Sequence, residues 1–283
     1  MEIVLKRLQE QQMKILREVK RVCEKNNIPF YLAFGSCLGA IRHQGFIPWD
    51  DDIDICMHVE DYERFLKCRD DFGDDFFLQT NESDENYGLM IARVRLNGTT
   101  LIEKDEQDLD IHHGIFLDVY PLFGCPKGKI RQKIITVQSI LYRLLLLDRP
   151  PKNKGSLAAT ISRLILLVIP KGVKKNLKRY LYRCMKRYTN SDIVATLYGM
   201  DISLKHITTY KREWFAEPRL VPFEGELMPV PTDYHAFLTK RYGDYMKLPP
   251  KEKQSSYHTF VFVDTEKHYQ IYKGKQYCVA EEK

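Results

Sequence analysis

The segment from Asp52 to Val59 places acidic side chains inside a stretch that is otherwise typical of a buried β-strand. Period-two alternation puts Asp52 and Asp54 on one face of such a strand and the intervening isoleucines on the other. Two carboxylates about 6.6–6.8 Å apart on one face repel each other once they are partly desolvated. A divalent cation that prefers oxygen ligands would allow both to stay ionised, so the alternation favours a metal site.

A third aspartate, Asp118, lies inside another apolar strand, predicted over residues 114–122. Neighbouring strands are about 4.8 Å apart, so a strand beside Asp52 and Asp54 would bring Asp118 close to them. Three such carboxylates suit a site for two metal ions about 3.5–4 Å apart, the arrangement used for in-line phosphoryl displacement. One aspartate taken singly is more often a cap or a solvated strand end, and only the combined pattern favours metal.

Gly35 and Ser36 follow a strand predicted over residues 30–35, and Ser36 is the expected N-cap of a short helix over residues 37–43. Glycine lets a ligand approach the backbone closely, and a helix N-terminus with a serine hydroxyl offers hydrogen-bond donors to phosphate. A Gly-Ser pair is common in ordinary turns. Its position just before the aspartates is what suggests a phosphate site.

The remaining pattern predicts helices and strands in mixed order. An amphipathic helix is expected over residues 1–25, a strand over 52–59, a helix over 60–67, strands over 89–96 and 99–105 joined by a turn at Asn97-Gly98, helices over about 130–147, 156–169 and 171–189, and a last helix that ends at Gly243. We expect an α+β fold in which residues 127–190 form a separate helical region.

Seven cysteines, an odd number without a C-x-x-C pair, argue against a disulfide framework and favour a reducing cytosol. The N-terminus does not resemble a signal peptide, and no apolar run reaches the roughly 18 residues that a membrane-spanning helix needs. We therefore expect a cytoplasmic protein.

The charge is unevenly distributed. Residues 127–190, called the basic segment below, contain 17 lysines and arginines and one acid, Asp148, whereas the rest of the chain is acidic. Such a block indicates a polyanionic partner or an anionic membrane surface. No nucleic-acid-reading motif accompanies the charge, so we expect no nucleic-acid partner. We expect the protein to lie peripherally on the inner face of the cell membrane, and a merely solvated helical face is the alternative.

The string "GSCLGAIRHQGFIPWDDDIDI" at residues 35–55 resembles the LicD family within the nucleotidyltransferase superfamily. The segments "GIFLDVYPL" and "FEGELMPVPTDYHAFLTKRYGDYMKLPP", with His258 after them, are similar to later blocks of that family. The similarity covers about residues 30–125 and 213–258. It implies a polymerase-beta-like mixed sheet with flanking helices, in which residues 1–126 are the catalytic core and 191–283 complete it, with the basic segment between them.

The resemblance also implies roles for individual residues. Asp52 and Asp54 would bind Mg²⁺, or Mn²⁺ in its place, and Asp118 would bind metal or act as general base. Phosphates would be held near Gly35 and Ser36. Further phosphate contacts are expected from Arg42, His43, Arg93 and Arg95, and substrate contacts from Trp49, Asp51 and His258. For Arg42 and His43, positioning of the aspartate loop is an equal alternative. For Arg93 and Arg95, a surface-facing position is the favoured alternative. Asp51 also serves to fix the aspartate loop.

The implied reaction moves a phospho-alcohol group to a sugar hydroxyl and releases CMP. The expected donor is CDP-choline or a related CDP-alcohol. The expected acceptor is a lipid-linked glycan precursor, such as one for teichoic acid or lipopolysaccharide. A D-x-D glycosyltransferase, a true nucleotidyltransferase and a non-catalytic subunit that binds an envelope polymer stay open as alternatives.

Overall fold

The structure, a computed structural model, describes residues 2–149, 156–255 and 260–279 of the 283-residue chain. Its helices are α1 Glu2–Lys25, α2 Phe34–His43, α3 Val59–Leu66, α4 Lys129–Leu147, α5 Ser156–Val168, α6 Lys171–Met185 and α7 Tyr234–Tyr242. Its strands are β1 Tyr31–Leu32, β2 Asp54–His58, β3 Phe76–Gln79, β4 Ala92–Leu96, β5 Thr100–Glu103, β6 Ile115–Gly124, β7 Ile193–Ala195, β8 Tyr210–Lys211, β9 Arg219–Phe223, β10 Glu226–Val230 and β11 Phe260–Asp264. The fold is α+β, as predicted.

The chain divides into two compact units. The first unit comprises Met1–Gln79, Ala92–Pro121 and Glu213–Lys283, and the second comprises Thr80–Ile91 and Leu122–Arg212. The basic segment belongs to the second unit. The assignment of residues 1–126 and 191–283 to one catalytic domain stays a prediction.

The central sheet of the first unit has the strand order β1-β2-β6-β4-β3. Strand β6 therefore lies beside β2, and the backbone N–H of Asp118 donates to the carbonyl of Ile53 at 3.0 Å. This confirms that the strand of Asp118 runs next to the segment that carries the other aspartates. On its other edge β6 pairs antiparallel with β4, which puts Arg93 directly opposite Asp118.

Helix α1 matches the predicted amphipathic helix at the N-terminus. Its apolar side chains recur at helical spacing and are almost fully buried, among them Leu8, Ile15, Leu16, Val19 and Val22. Burial of each such side chain contributes roughly 1.5–3 kcal/mol, which fixes this helix against the rest of the unit. The same face also carries Gln12, a polar side chain that is only 1% exposed.

Helix α7 has the ends that its sequence predicts. The side chain of Asp233 accepts a hydrogen bond from the backbone N–H of Ala236, and Gly243 ends the helix at a φ of 70°. The nearby strands β9 and β10 form an antiparallel hairpin whose turn, Glu224-Gly225, has positive φ at both residues. A two-residue turn of this kind matches the twist of the strands it joins.

Three predicted boundaries or pairings are wrong. Strand β1 is shorter than residues 30–35 because the chain already enters α2 at Phe34. Strand β2 begins at Asp54, so Asp52 lies in the preceding loop rather than on the strand. Strands β4 and β5 do not form a hairpin about Asn97-Gly98: β3 and β6 occupy both edges of β4, and β5 pairs with β11 instead.

The second unit contains the helices predicted for the basic segment. Helices α4 and α6 pack against each other, and α5 ends just before Pro170. The last residues of β6 pair antiparallel with β7, which pairs in turn with β8. In the described part of the chain, no helix is long and apolar enough to cross a membrane.

Candidate active site

Three consecutive aspartates form the carboxylate cluster of the first unit. Asp50, Asp51 and Asp52 each offer a carboxylate oxygen, and these oxygens lie within 4.8 Å of one another. Among the described residues, this is the only group of three or more potential metal ligands that meets this spacing. Asp54 and Asp118 are therefore not members of the cluster. An all-oxygen carboxylate set is the donor chemistry that Mg²⁺ prefers, so the cluster fits a hard divalent cation.

Helix α1 holds the loop that carries this cluster. The side-chain amide of Gln9 donates to the carbonyl of Asp50 at 2.9 Å, and that of Gln12 donates to the carbonyl of Asp51 at 2.8 Å. Residues three apart on a helix share a face, so the two glutamines reach adjacent carbonyls of one loop. These two hydrogen bonds fix the backbone of the loop that carries the carboxylates.

Gly35 lies directly beneath the aspartate loop. A Cβ atom built on Gly35 would be 2.7 Å from Oδ2 of Asp50, closer than two such atoms can approach. Any other residue at position 35 would therefore displace that carboxylate. The structure thus brings the Gly-Ser turn and the aspartates together, as the sequence suggested.

Ser36 has a different role from the one predicted. Helix α2 begins at Phe34 with Ala33 at its N-cap and no capping side chain, so Ser36 does not cap it. The Ser36 hydroxyl is buried and accepts the backbone N–H of Asp54 at 2.9 Å. It therefore joins the first turn of α2 to the first residue of β2. That its hydroxyl holds a phosphate stays a prediction.

Phe34 adopts a backbone conformation that is rare for a bulky residue, with a φ of 45°. Its ring packs edge-on against Tyr120 at 5.1 Å between centroids, and the guanidinium of Arg241 lies 4.2 Å from the ring centroid. Strained residues of this kind cluster at functional sites. Arg241 is a cation near the Gly-Ser turn that the sequence analysis did not single out.

Asp118 is one member of a buried ionic network. Nε of Arg93 donates to Oδ1 of Asp118 at 2.7 Å, and Nη1 of Arg93 donates to Glu103 at 2.7 Å and to Glu106 at 3.0 Å. Nη2 of Arg95 reaches Glu106 at 3.3 Å. All five groups lie within the first unit.

Aromatic and amide groups complete this network. The guanidiniums of Arg93 and Arg95 lie 3.8 and 4.8 Å from the centroid of Phe116, and Nε of Arg95 donates to Gln79 at 2.7 Å. Both arginines are at most 4% exposed, so the alternative of surface-facing arginines is wrong. Their predicted diphosphate contact stays a prediction.

Burial and charge act in opposite directions on Glu106. Burial would raise its pKa, but the attraction of Arg93, Arg95 and His113 outweighs burial and holds the pKa below its ordinary value. The carboxylate is therefore stabilised in its charged form by Arg95 and by Arg93, the arginine that also holds Asp118. Glu103 and Glu106 were not predicted from the sequence, although their spacing after a strand with two arginines was a usable signal.

Arg42 and His43 bind each other at the end of α2. Nε of Arg42 donates to Nε2 of His43 at 2.9 Å, and its Nη1 donates to the carbonyl of Tyr245 at 2.8 Å. Burial, with the adjacent Arg42 charge, lowers the pKa of His43, so this imidazole is neutral at pH 7. These contacts favour a positioning role for both residues.

Trp49 is half-buried just before the aspartates. Its ring lies edge-on to His43 at 6.5 Å between centroids, which links the Pro-Trp turn to the end of α2. This contact supports a role for Trp49 in anchoring the aspartate loop, and its predicted substrate contact stays a prediction. His258, the remaining predicted substrate contact, lies outside the described residues.

Comparison with known proteins identifies the family of this chain. A sequence model described as "LicD/FKTN/FKRP, nucleotidyltransferase domain" matches residues 27–91, which include α2, the aspartate loop and β2. The lipopolysaccharide cholinephosphotransferase LicD of Haemophilus influenzae is 30% identical over 264 residues, 89% of this chain and 96% of that protein. Ribitol 5-phosphate transferase FKRP of Homo sapiens is 42% identical over 53 residues, 17% of this chain and 11% of FKRP. The extent of the first similarity shows that the chain belongs to the LicD family.

Proposed function

We propose that this chain is a metal-dependent phosphotransferase that moves phosphocholine from CDP-choline to a sugar hydroxyl of a cell-surface glycan precursor. The observation that carries the proposal is the cluster of Asp50, Asp51 and Asp52, anchored by α1 and seated against Gly35. Similarity to a cholinephosphotransferase over nearly the whole chain supports the phosphocholine group. The shorter similarity to a ribitol 5-phosphate transferase makes CDP-ribitol the second donor to test.

The carboxylates of Asp50, Asp51 and Asp52 would hold Mg²⁺, and the sequence pattern adds Asp54 and Asp118 to the proposed ligands. A bound Mg²⁺ supplies charge neutralisation for the donor diphosphate and for the leaving phosphate. The protein's own residues would perform the remaining steps. Gly35 and the first turn of α2 would face the phosphates, and Arg241 would add a cation beside that turn.

In the proposed transfer, the acceptor hydroxyl oxygen forms a bond to the phosphorus of the phosphocholine group. The bond from that phosphorus to the oxygen of CMP breaks, and CMP leaves with the electron pair. A sugar hydroxyl has a pKa far above 7, so a carboxylate must accept its proton as the new bond forms. Asp118 is the candidate for this step because Arg93 fixes its orientation through Oδ1.

Turnover of the full-length chain tests the proposal. CDP-choline, CDP-ribitol, CDP-ethanolamine and CDP-glycerol would each be incubated with Mg²⁺ and a lipid-linked glycan extract, and nucleotide products measured by chromatography. We expect CMP release that stops on chelation of the metal. Release of pyrophosphate or of a nucleoside diphosphate would instead favour a nucleotidyltransferase or a glycosyltransferase.

A matched pair of variants ties the activity to the cluster. Asp51→Asn removes one charge from the cluster with little change in volume, and we expect turnover to fall at least 100-fold. Asp70→Asn makes the same chemical change at an exposed position, and we expect full activity there. Equal activity in both variants would exclude the carboxylate cluster from the reaction.

A further inference from the structure

The second unit exposes apolar side chains that its own core does not use. On α4 the stripe Ile130, Ile134 and Val137 is 52–77% exposed, and the spacing of four and three residues puts all three on one side of the helix. Of the buried residues of α4, Ile135 and Ser139 lie on the roughly opposite side of the helix. Helix α4 is thus apolar both towards the core and towards solvent.

Helix α5 also exposes apolar side chains, and two of them are more exposed than any in the α4 stripe. Ile161, Leu164, Leu167 and Val168 recur at three- and four-residue spacing, and Leu167 and Val168 are 81% and 78% exposed. None of the described side chains from 160 to 168 is fully buried, although most of them are apolar. At about 1.5 Å per residue, this 13-residue helix is about 20 Å long, which is too short to cross the roughly 30 Å core of a bilayer.

Exposed cations lie on α4 and α6. Lys129, Arg131 and Lys133 are exposed on α4 around Ile130. Lys175, Arg179, Arg183 and Arg187 are exposed at intervals of four residues along α6 and the short 3₁₀ turn that follows it. The one acid of the basic segment, Asp148, is paired with Lys174.

We propose that α4, α5 and α6 form a docking surface for an anionic lipid bilayer, with the α5 stripe inserted among the acyl chains and the α4 and α6 cations at the headgroups. The combination of exposed apolar side chains and exposed cations favours a lipid bilayer over other polyanions. Nucleic acid or an acidic polymer would satisfy the cations and leave the apolar stripes in water, whereas a bilayer interface accommodates both. The proposal concerns the second unit and does not depend on the reaction assigned to the carboxylate cluster.

Flotation of the full-length chain with vesicles tests this surface. One set of vesicles contains phosphatidylcholine only, and the other contains about 30% phosphatidylglycerol. We expect binding to the anionic vesicles at low salt, a marked loss of binding as NaCl is raised, and little binding to the neutral vesicles. Salt-independent binding that is equal for both compositions would overturn the electrostatic part of the proposal.

Two variants separate the apolar and charged contributions. A triple change of Leu164, Leu167 and Val168 to serine should weaken binding at least tenfold and leave the salt dependence in place. A triple change of Lys175, Arg179 and Arg183 to glutamine should weaken binding on the order of 100-fold at low salt and flatten its salt dependence.

Control variants make matched changes at exposed positions of the first unit. They are Leu220→Ser with Leu227→Ser and Leu248→Ser for the apolar change, and Lys240→Gln with Lys247→Gln and Lys251→Gln for the charge change. We expect these controls to bind vesicles like the unchanged chain, and melting curves would verify that every variant is folded.

Two outcomes would assign the surface to another occupant and overturn the proposal. The first is capture by heparin or RNA that competes fully with vesicles and is insensitive to the serine changes on α5. The second is self-association, seen by light scattering, that disappears with those serine changes while vesicles fail to bind. If the chain fails to bind vesicles while CMP release is unchanged, the proposed docking surface is refuted and the proposed reaction is unaffected.

Discussion

Replacing Arg93 with methionine is the sharpest test of the network that holds Asp118. Arg93 is buried and donates to Asp118, Glu103 and Glu106, three carboxylates whose side chains are 5–15% exposed. Methionine fills much of the same volume without a charge, so the three carboxylates would lose their shared cation while they remain buried. Breaking a buried pair in this way typically costs about 3–5 kcal/mol. That is a large part of the roughly 5–15 kcal/mol by which a folded domain is stable.

The pH dependence of the free energy of unfolding provides a second, independent test of this prediction. In the unchanged protein the pKa of Glu106 is lowered on folding, so its contribution to stability is present above the unfolded pKa and is lost as the pH falls through the folded pKa. Without Arg93, we expect burial to outweigh the remaining attraction and to raise the pKa of Glu106. Protonation of Glu106 then favours the folded state, so the stability difference between Arg93→Met and the unchanged protein should narrow as the pH falls from 7 towards 5.

Urea unfolding monitored at pH 7 and pH 5 measures both effects. Arg69→Met is the matched control, because Arg69 is exposed and surface changes usually alter stability by less than about 0.5 kcal/mol. The double variant Arg93→Met with Asp118→Asn should recover part of the loss, since it removes one of the stranded charges. A cost below about 1 kcal/mol for Arg93→Met, with no narrowing at low pH, would refute the network.

Three further predictions concern the loop and turn at the candidate site. Ser36→Ala leaves the buried N–H of Asp54 without its acceptor, and we expect a loss of about 1–3 kcal/mol in urea unfolding. Gly39→Ala would place a Cβ atom 2.4 Å from the carbonyl oxygen of Gly45, so we expect a cost of about 1–3 kcal/mol in the same assay and weaker donor binding in calorimetry. Mg²⁺ at 100 times its Kd should stabilise the chain by about 2.7 kcal/mol in urea unfolding, and Asp51→Asn should abolish that gain.

The sequence predicted most elements because their signals are local. Hydrophobic periodicity located α1 and the helices of the basic segment, and an aspartate and a glycine marked the ends of α7. The strand of Asp118 was recognisable because a charged residue in an apolar run is rare. These features depend on neighbours within one or two turns of the chain, so the amino-acid pattern carries them directly.

Pairing and side-chain contacts depend on residues far apart in sequence, and they were harder to predict. Asn97-Gly98 looked like a hairpin turn, but β3 and β6 compete for the same edges of β4 and occupy both of them. Gln12 anchors the aspartate loop across 39 residues of chain. A glutamine on the apolar face of an amphipathic helix was the available signal, because a buried polar side chain requires a partner.

The start of β2 decides which carboxylates can act together. An alternating strand would keep Asp52 and Asp54 on one face, but the strand begins only at Asp54, where the hydroxyl of Ser36 holds the backbone N–H. Upstream of that point the chain is a loop, and a loop can turn three consecutive carboxylates towards one another as a strand cannot. Hydrogen bonds from α1 to the backbone then hold the loop that carries Asp50, Asp51 and Asp52. Because carboxylates this close repel one another, the distances between them should change most when the Gln12 anchor is lost. Loss of a bound cation should instead leave the negative charge of the cluster uncompensated.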